Sequence, residues 1–126
     1  MPELIDLTKD QTVKGYEGRL NLDRVMRGKK IPTELDYPLQ TWNWGDKMAM
    51  VNLACEVVID YSILLKGELG AEHLWINAYS NDVPCYIPSR RILREGGYEG
   101  ETNMYWYDKP TKFSPKVEDL IVNAVH

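Results

Sequence analysis

The chain has 126 residues, a net charge of -4, 44% hydrophobic residues and 27% charged residues, the size and balance of one globular domain. The acidic surplus, with no Lys/Arg run longer than a pair such as Arg90-Arg91, argues against a nucleic-acid partner. No apolar run approaches the roughly 20 residues that span a bilayer, and Met1-Pro2-Glu3-Leu4 lacks the basic start and apolar core of a signal peptide.

Residues 1–36 read as a poorly packed N-terminal arm. Thr8 to Arg27 is polar and interrupted by Gly15 and Gly18. Leu20, Val25 and Met26 predict a short helix that ends before Gly28, with Asn21 or Asp23 as its cap. Gly28 to Thr33 reads as a connector. Residues 37–126 carry the organised part. Tyr37 to Trp44 predicts a strand, and Pro38 near its start is tolerated there. Gly45-Asp46 predicts a two-residue hairpin turn. Lys47 to Leu53 returns as a second strand whose apolar content predicts burial on both faces.

Glu56 to Lys66 predicts a helix, because Val57, Tyr61, Leu64 and Leu65 share one face. The β-branched run Val57-Val58-Ile59 makes strand the competing reading. His73 to Tyr79 alternates as a third strand. Asn81-Asp82-Val83-Pro84 is turn chemistry. Pro88-Ser89-Arg90 opens a short helix through Glu95, and Gly96-Gly97 stops it. Glu101 to Tyr107 predicts a strand with an aromatic centre. A terminal helix follows, with Ser114 at its N-cap, Pro115 in its first turn and an apolar stripe at Val117, Leu120, Ile121, Ala124 and Val125. The fold class is therefore α/β or α+β: a mixed sheet with a hairpin and packed helices.

Chemistry concentrates in two stretches, 54–61 and 79–88. If the strands leading into them are neighbours, Glu56 and Tyr86 meet at one sheet edge, where sites are commonly built. Glu56 alone could serve a metal, act as a base, or favour a helix dipole in a first turn, and Tyr86 alone could be a packed tyrosine. His73 follows a surface loop and reads as solvated, and His126 is terminal. These are the two histidines of the chain, so a His-rich zinc site cannot be built from it. There is no GxSxG, P-loop or GxGxxG, and no helix is expected after Gly96-Gly97-Tyr98-Glu99-Gly100 to make that run a phosphate loop. Cys55 and Cys85 allow a disulfide, a soft-metal site or two buried free thiols, the last being the favoured reading.

Gly45-Asp46-Lys47-Met48-Ala49-Met50-Val51, then Glu56-Val57-Val58-Ile59-Asp60-Tyr61, Tyr79-Ser80-Asn81-Asp82, Tyr86-Ile87-Pro88-Ser89-Arg90 and Glu95-Gly96-Gly97-Tyr98-Glu99, resemble the neutral/alkaline non-lysosomal ceramidase family. The likeness is strongest to its bacterial ceramidase-like members and covers about residues 37–126. It implies a zinc-dependent amidohydrolase acting on the N-acyl amide of ceramide-like lipids. It also implies a secreted, periplasmic or membrane-associated parent. By the resemblance Glu56 and Tyr86 are zinc ligands, and Tyr98 lies beside the substrate amide and its oxyanion. The family's two histidine ligands and its serine lie upstream and have no counterpart here. Cys55 stands where the family has a small residue, and Val83 where its eukaryotic members have a tyrosine. The resemblance thus implies the C-terminal part of a larger layered catalytic domain, inactive alone and able to form homo-oligomers through exposed core. The alternative is a stand-alone binding or assembly module that keeps the fold without the chemistry.

Overall fold

The computed structural model describes residues 13–126. Helix α1 spans Val13–Met26, strands β1 and β2 span Leu39–Trp44 and Met48–Leu53, and β3 is the pair Glu56–Val57. Helix α2 covers Asp60–Leu69, β4 covers Leu74–Asn77 and β5 covers Tyr86–Ile87. Helix α3 runs over Arg90–Glu95. A π-helical turn at Tyr98–Thr102 then leads into α4, Asn103–Trp106, and α5 closes the chain at Val117–Val125.

The architecture is a mixed sheet with helices packed on it. β2 is the middle strand of three: antiparallel to β1 and parallel to β4. The parallel partner is reached through α2, as a parallel connection requires. Register decides the faces, because side chains alternate along a strand. Leu39, Ala49, Val51, Leu53, Leu74 and Ile76 share the inner face and join Tyr61 and Leu65 of α2 and Val117 and Ile121 of α5 in one core. Gln40, Trp42, Trp44, Met48, Met50, Asn52, Trp75 and Asn77 share the other face, where Trp42, Trp44 and Trp75 are about half exposed at 52%, 47% and 56%.

Five local expectations change. Trp44 pairs with Met48, so the hairpin loop is Gly45-Asp46-Lys47, one residue longer than a two-residue turn. A Lys47 N–H to Trp44 C=O bond of 3.3 Å closes it, and Gly45 supplies the positive φ. β2 is buried on both faces only in its last three residues, Val51, Asn52 and Leu53, while Met48, Ala49 and Met50 are half-buried, so two-sided burial holds for only half of the strand. The Val57-Val58-Ile59 run resolves towards strand: Glu56 and Val57 pair with β5 and the helix begins only at Asp60, as stiff β-branched side chains favour. The predicted strand 101–107 is π-helix followed by α-helix. Gly100 allows this close packing, since a Cβ there would lie 2.7 Å from the Ile92 carbonyl oxygen, and Asn103 pins the turn from inside, bonding the Tyr98 and Glu99 carbonyls at 2.7 and 3.0 Å. Tertiary contact here overrides the β propensity of Met104-Tyr105-Trp106-Tyr107. A helical turn therefore does open after Gly96-Gly97.

At the N-terminal side, α1 runs through Gly15 and Gly18 and ends just before Gly28. Asn21 and Asp23 lie inside it instead of capping it. Both glycines are buried. Residues 1–12 of the expected arm lie outside the described residues. At the other end the helix starts two residues later than expected: its cap position is Lys116, and Pro115 lies in the turn before it. Ser114 closes that turn, its Oγ accepting the Lys116 N–H at 3.3 Å and its carbonyl the Val117 N–H at 3.0 Å. Of the expected apolar stripe Val117 and Ile121 are buried, whereas Leu120 and Ala124 face solvent.

Candidate functional site

β2 and β4 end together, and the chain beyond each continues as a second, two-residue parallel pair. Glu56 stands opposite Tyr86, and Val57 opposite Ile87. Backbone bonds stitch the gap between the two pairs: Ser80 N–H to Leu53 C=O at 3.0 Å, Tyr79 N–H to Cys55 C=O at 2.8 Å, Cys55 N–H to Asp82 C=O at 2.7 Å and Glu56 N–H to Cys85 C=O at 3.1 Å. Three residues of this seam, Cys55, Tyr79 and Asn81, hold left-handed φ values of 67°, 56° and 67°. None is glycine, and each such residue costs on the order of 1–3 kcal/mol that the surrounding structure must offset. Strain gathered at one sheet end is characteristic of functional edges.

Three tyrosines gather around Glu56. The Glu56 carboxylate acts on the phenols of Tyr79 and Tyr86 and raises the pKa of both above the usual tyrosine value, with partial desolvation adding to the effect. The Tyr98 ring meets the Tyr86 ring edge to face, centroids 5.4 Å apart. Tyr98 sits in the first turn of the π-helix, an irregularity frequent at functional sites. The three residues singled out from sequence, Glu56, Tyr86 and Tyr98, are therefore brought together. Glu56 lies in a strand, not in a first helical turn, so the helix-dipole explanation for it falls away. That place belongs to Asp60, whose carboxylate binds Arg91 at 2.8 Å and Ser89. These bonds hold it below the usual carboxylate range and fix α3 to α2.

Two contributors escaped the sequence reading. Tyr79 ends a run that reads as strand, and only its left-handed backbone turns it to Glu56. Asn103, fully buried, accepts the Tyr86 N–H at 3.3 Å while donating to the Tyr98 and Glu99 carbonyls, so one amide sets the spacing of Tyr86 and Tyr98. Nothing in the sequence marks Asn103. For Tyr79, the polar run Ser80-Asn81-Asp82 immediately after it was the available signal of a turn.

Behind the site, Cys55 and Cys85 are fully buried and unbridged, as favoured from sequence. The two thiols act on each other: Cys55, with burial adding to it, pushes the Cys85 thiol far above the ordinary thiol range, while Cys85 lowers the pKa of Cys55 against the opposing effect of burial. His73 is exposed with Nδ1 2.9 Å from the Lys47 carbonyl. His126 Nε2 lies 2.7 Å from Glu68. Neither histidine joins the Glu56 cluster.

A carboxylate and phenolic oxygens are hard donors suited to a borderline metal such as zinc. Among the described residues no group of three or more His, Cys, Asp or Glu could hold a metal ion. Glu56 and Tyr86 are two oxygen donors, fewer than the three or four protein ligands of a usual zinc site. No helix among the described residues is long and apolar enough to cross a membrane. Comparison with protein-family models, with curated proteins and with solved structures finds no match to this chain.

Proposed function

We propose that this chain is the C-terminal part of the catalytic domain of a zinc-dependent amidohydrolase resembling neutral ceramidase, acting on the N-acyl amide of ceramide-like lipids, and that it is inactive alone. The reading rests on one observation: Glu56 stands directly opposite Tyr86, and the ring of Tyr98 lies edge-on to Tyr86. Residues 30 and 12 apart in a 126-residue chain converge as the resemblance requires. In this reading Glu56 and Tyr86 offer oxygen donors to zinc, and zinc in such a site supplies Lewis-acid chemistry. Tyr98 donates its phenolic proton to the oxygen on which negative charge develops as the amide is attacked. Tyr79 orients the Glu56 carboxylate. Histidine ligands come from polypeptide outside this chain.

Calorimetric zinc titration tests this. The chain alone binds weakly, with a Kd above about 1 µM, and the residual binding disappears in both Glu56→Ala and Tyr86→Phe. It leaves N-acylsphingosine intact. Tight 1:1 binding lost in Glu56→Ala would overturn the claim that the site is incomplete. Binding indifferent to both substitutions would overturn the site itself.

A second reading, an assembly module, is favoured by a different observation. The Trp42, Trp44 and Trp75 face is open, and Asn52 on that face is only 7% exposed with an Nδ2 that has no partner. Buried donors normally have partners. Association through this face would cover the tryptophans and is compatible with the first reading.

A further inference from the structure

One residue behind Glu56 and one behind Tyr86, the two paired chains each carry a cysteine. Each cysteine immediately precedes one of the paired residues Glu56 and Tyr86, and the Glu56 N–H to Cys85 C=O bond of 3.1 Å holds the backbones together there. Neighbouring strands run about 4.8 Å apart, inside the Cα separation of about 4.4–6.8 Å that a disulfide accepts. Both thiols are free and fully buried at this junction, and each shifts the pKa of the other. Cys55 further holds a left-handed backbone, φ 67°, where glycine would be unstrained.

We propose that Cys55 and Cys85 are a redox-modifiable dithiol that closes to a reversible disulfide and staples the Glu56–Tyr86 junction. The co-reactant is a small organic disulfide. One protein thiolate attacks a sulfur of the reagent, the reagent S–S bond breaks, and one small thiol leaves. The second protein thiolate then attacks the protein sulfur of the mixed disulfide, forming Cys55–Cys85 and releasing the second small thiol. Two protein thiols are oxidised, one small disulfide is reduced, and the two protons pass to the departing thiolates. Covalent closure removes the freedom of the seam to open, whatever the site binds, so the proposal stands apart from the zinc reading.

The test incubates the native chain with 2-hydroxyethyl disulfide, blocks remaining thiols with iodoacetamide, and maps peptides by mass spectrometry. The expected product is a linked Cys55–Cys85 peptide lacking two hydrogens, with no alkylation, that dithiothreitol reverses. Amide exchange at Glu56 and Val58 should slow about tenfold in the oxidised form. Cys85→Ser should stop at a mixed disulfide on Cys55. If that variant does not fold, the wild-type peptide map decides alone. Reagent left on one cysteine of the wild type, both thiols still free after incubation, or exchange unchanged by closure would each overturn the proposal.

Discussion

Glu56 draws its character from what surrounds it. Phenols from two different segments come under the influence of one carboxylate, which raises the pKa of each. The neutral phenol is the form the contact favours, so the raised titration should vanish with the charge. In Glu56→Gln, Tyr79 and Tyr86 should titrate nearer the ordinary tyrosine value of about 10, read from phenolate absorbance or from Cζ chemical shifts. Phenols that titrate as in the wild type would show that the carboxylate does not hold them. Glu56 and Tyr86 were legible as candidates because a carboxylate and a tyrosine each stood at the expected end of a strand. Asn103 was not legible, since an asparagine between Thr102 and Met104 acquires its role only when Tyr86 and Tyr98 are folded onto it.

Among the elements, the π-helix is the one whose geometry the site depends on most. Its Gly100 faces the Ile92 backbone with no space for a methyl group. Gly100→Ala should therefore destabilise the chain by about 1–3 kcal/mol, measured by urea denaturation, and should shift the Tyr98 ring resonances as the turn moves. An unchanged midpoint would mean the α3–π-helix packing yields readily. Helix α1 offers a pH-dependent element. Burial raises the Glu17 carboxyl from 4.5 to about 7, its hydrogen bond and repulsion with Asp108 add to the shift, and Arg24 opposes it. Arg24 in turn binds both Asp108 oxygens at 2.9 Å. A carboxyl raised in the folded state favours folding when protonated, so this contribution is complete below about pH 4.5 and is lost as pH rises through about 7. Intrinsic-rate-corrected amide exchange in α1 should therefore be faster at pH 8 than at pH 5, and Glu17→Gln should flatten the difference. The sequence showed that α5 exists, because its apolar residues recur at helical spacing, but it placed the cap at Ser114 instead of Lys116 and counted the exposed Leu120 on the buried stripe. It misread 101–107, because aromatic residues suit a strand and a tight helix alike and only Gly100 and Asn103 decide between them.

For the whole molecule, the sheet is covered on one face and open on the other. Three half-exposed tryptophans flanked by Met48 and Met50 form an apolar surface of the kind that marks an interaction face. Sedimentation velocity should show association that increases with protein concentration. The double substitution Trp42→Glu and Trp75→Glu should abolish it while leaving far-UV circular dichroism unchanged. A monomer at all concentrations would remove self-association as the use of this face.

The sequence by itself determined the α/β character, the hairpin, the terminal helix and the residue types that cluster at the site, because periodicity, turn chemistry and caps are local. Tertiary structure alone decided that β2 and β4 run side by side, that Glu56 therefore faces Tyr86, that Tyr79 turns back to join them, and that the tryptophan face stays open. Those outcomes depend on register and on backbone strain offset by distant contacts, and neither is written in any window of neighbouring residues.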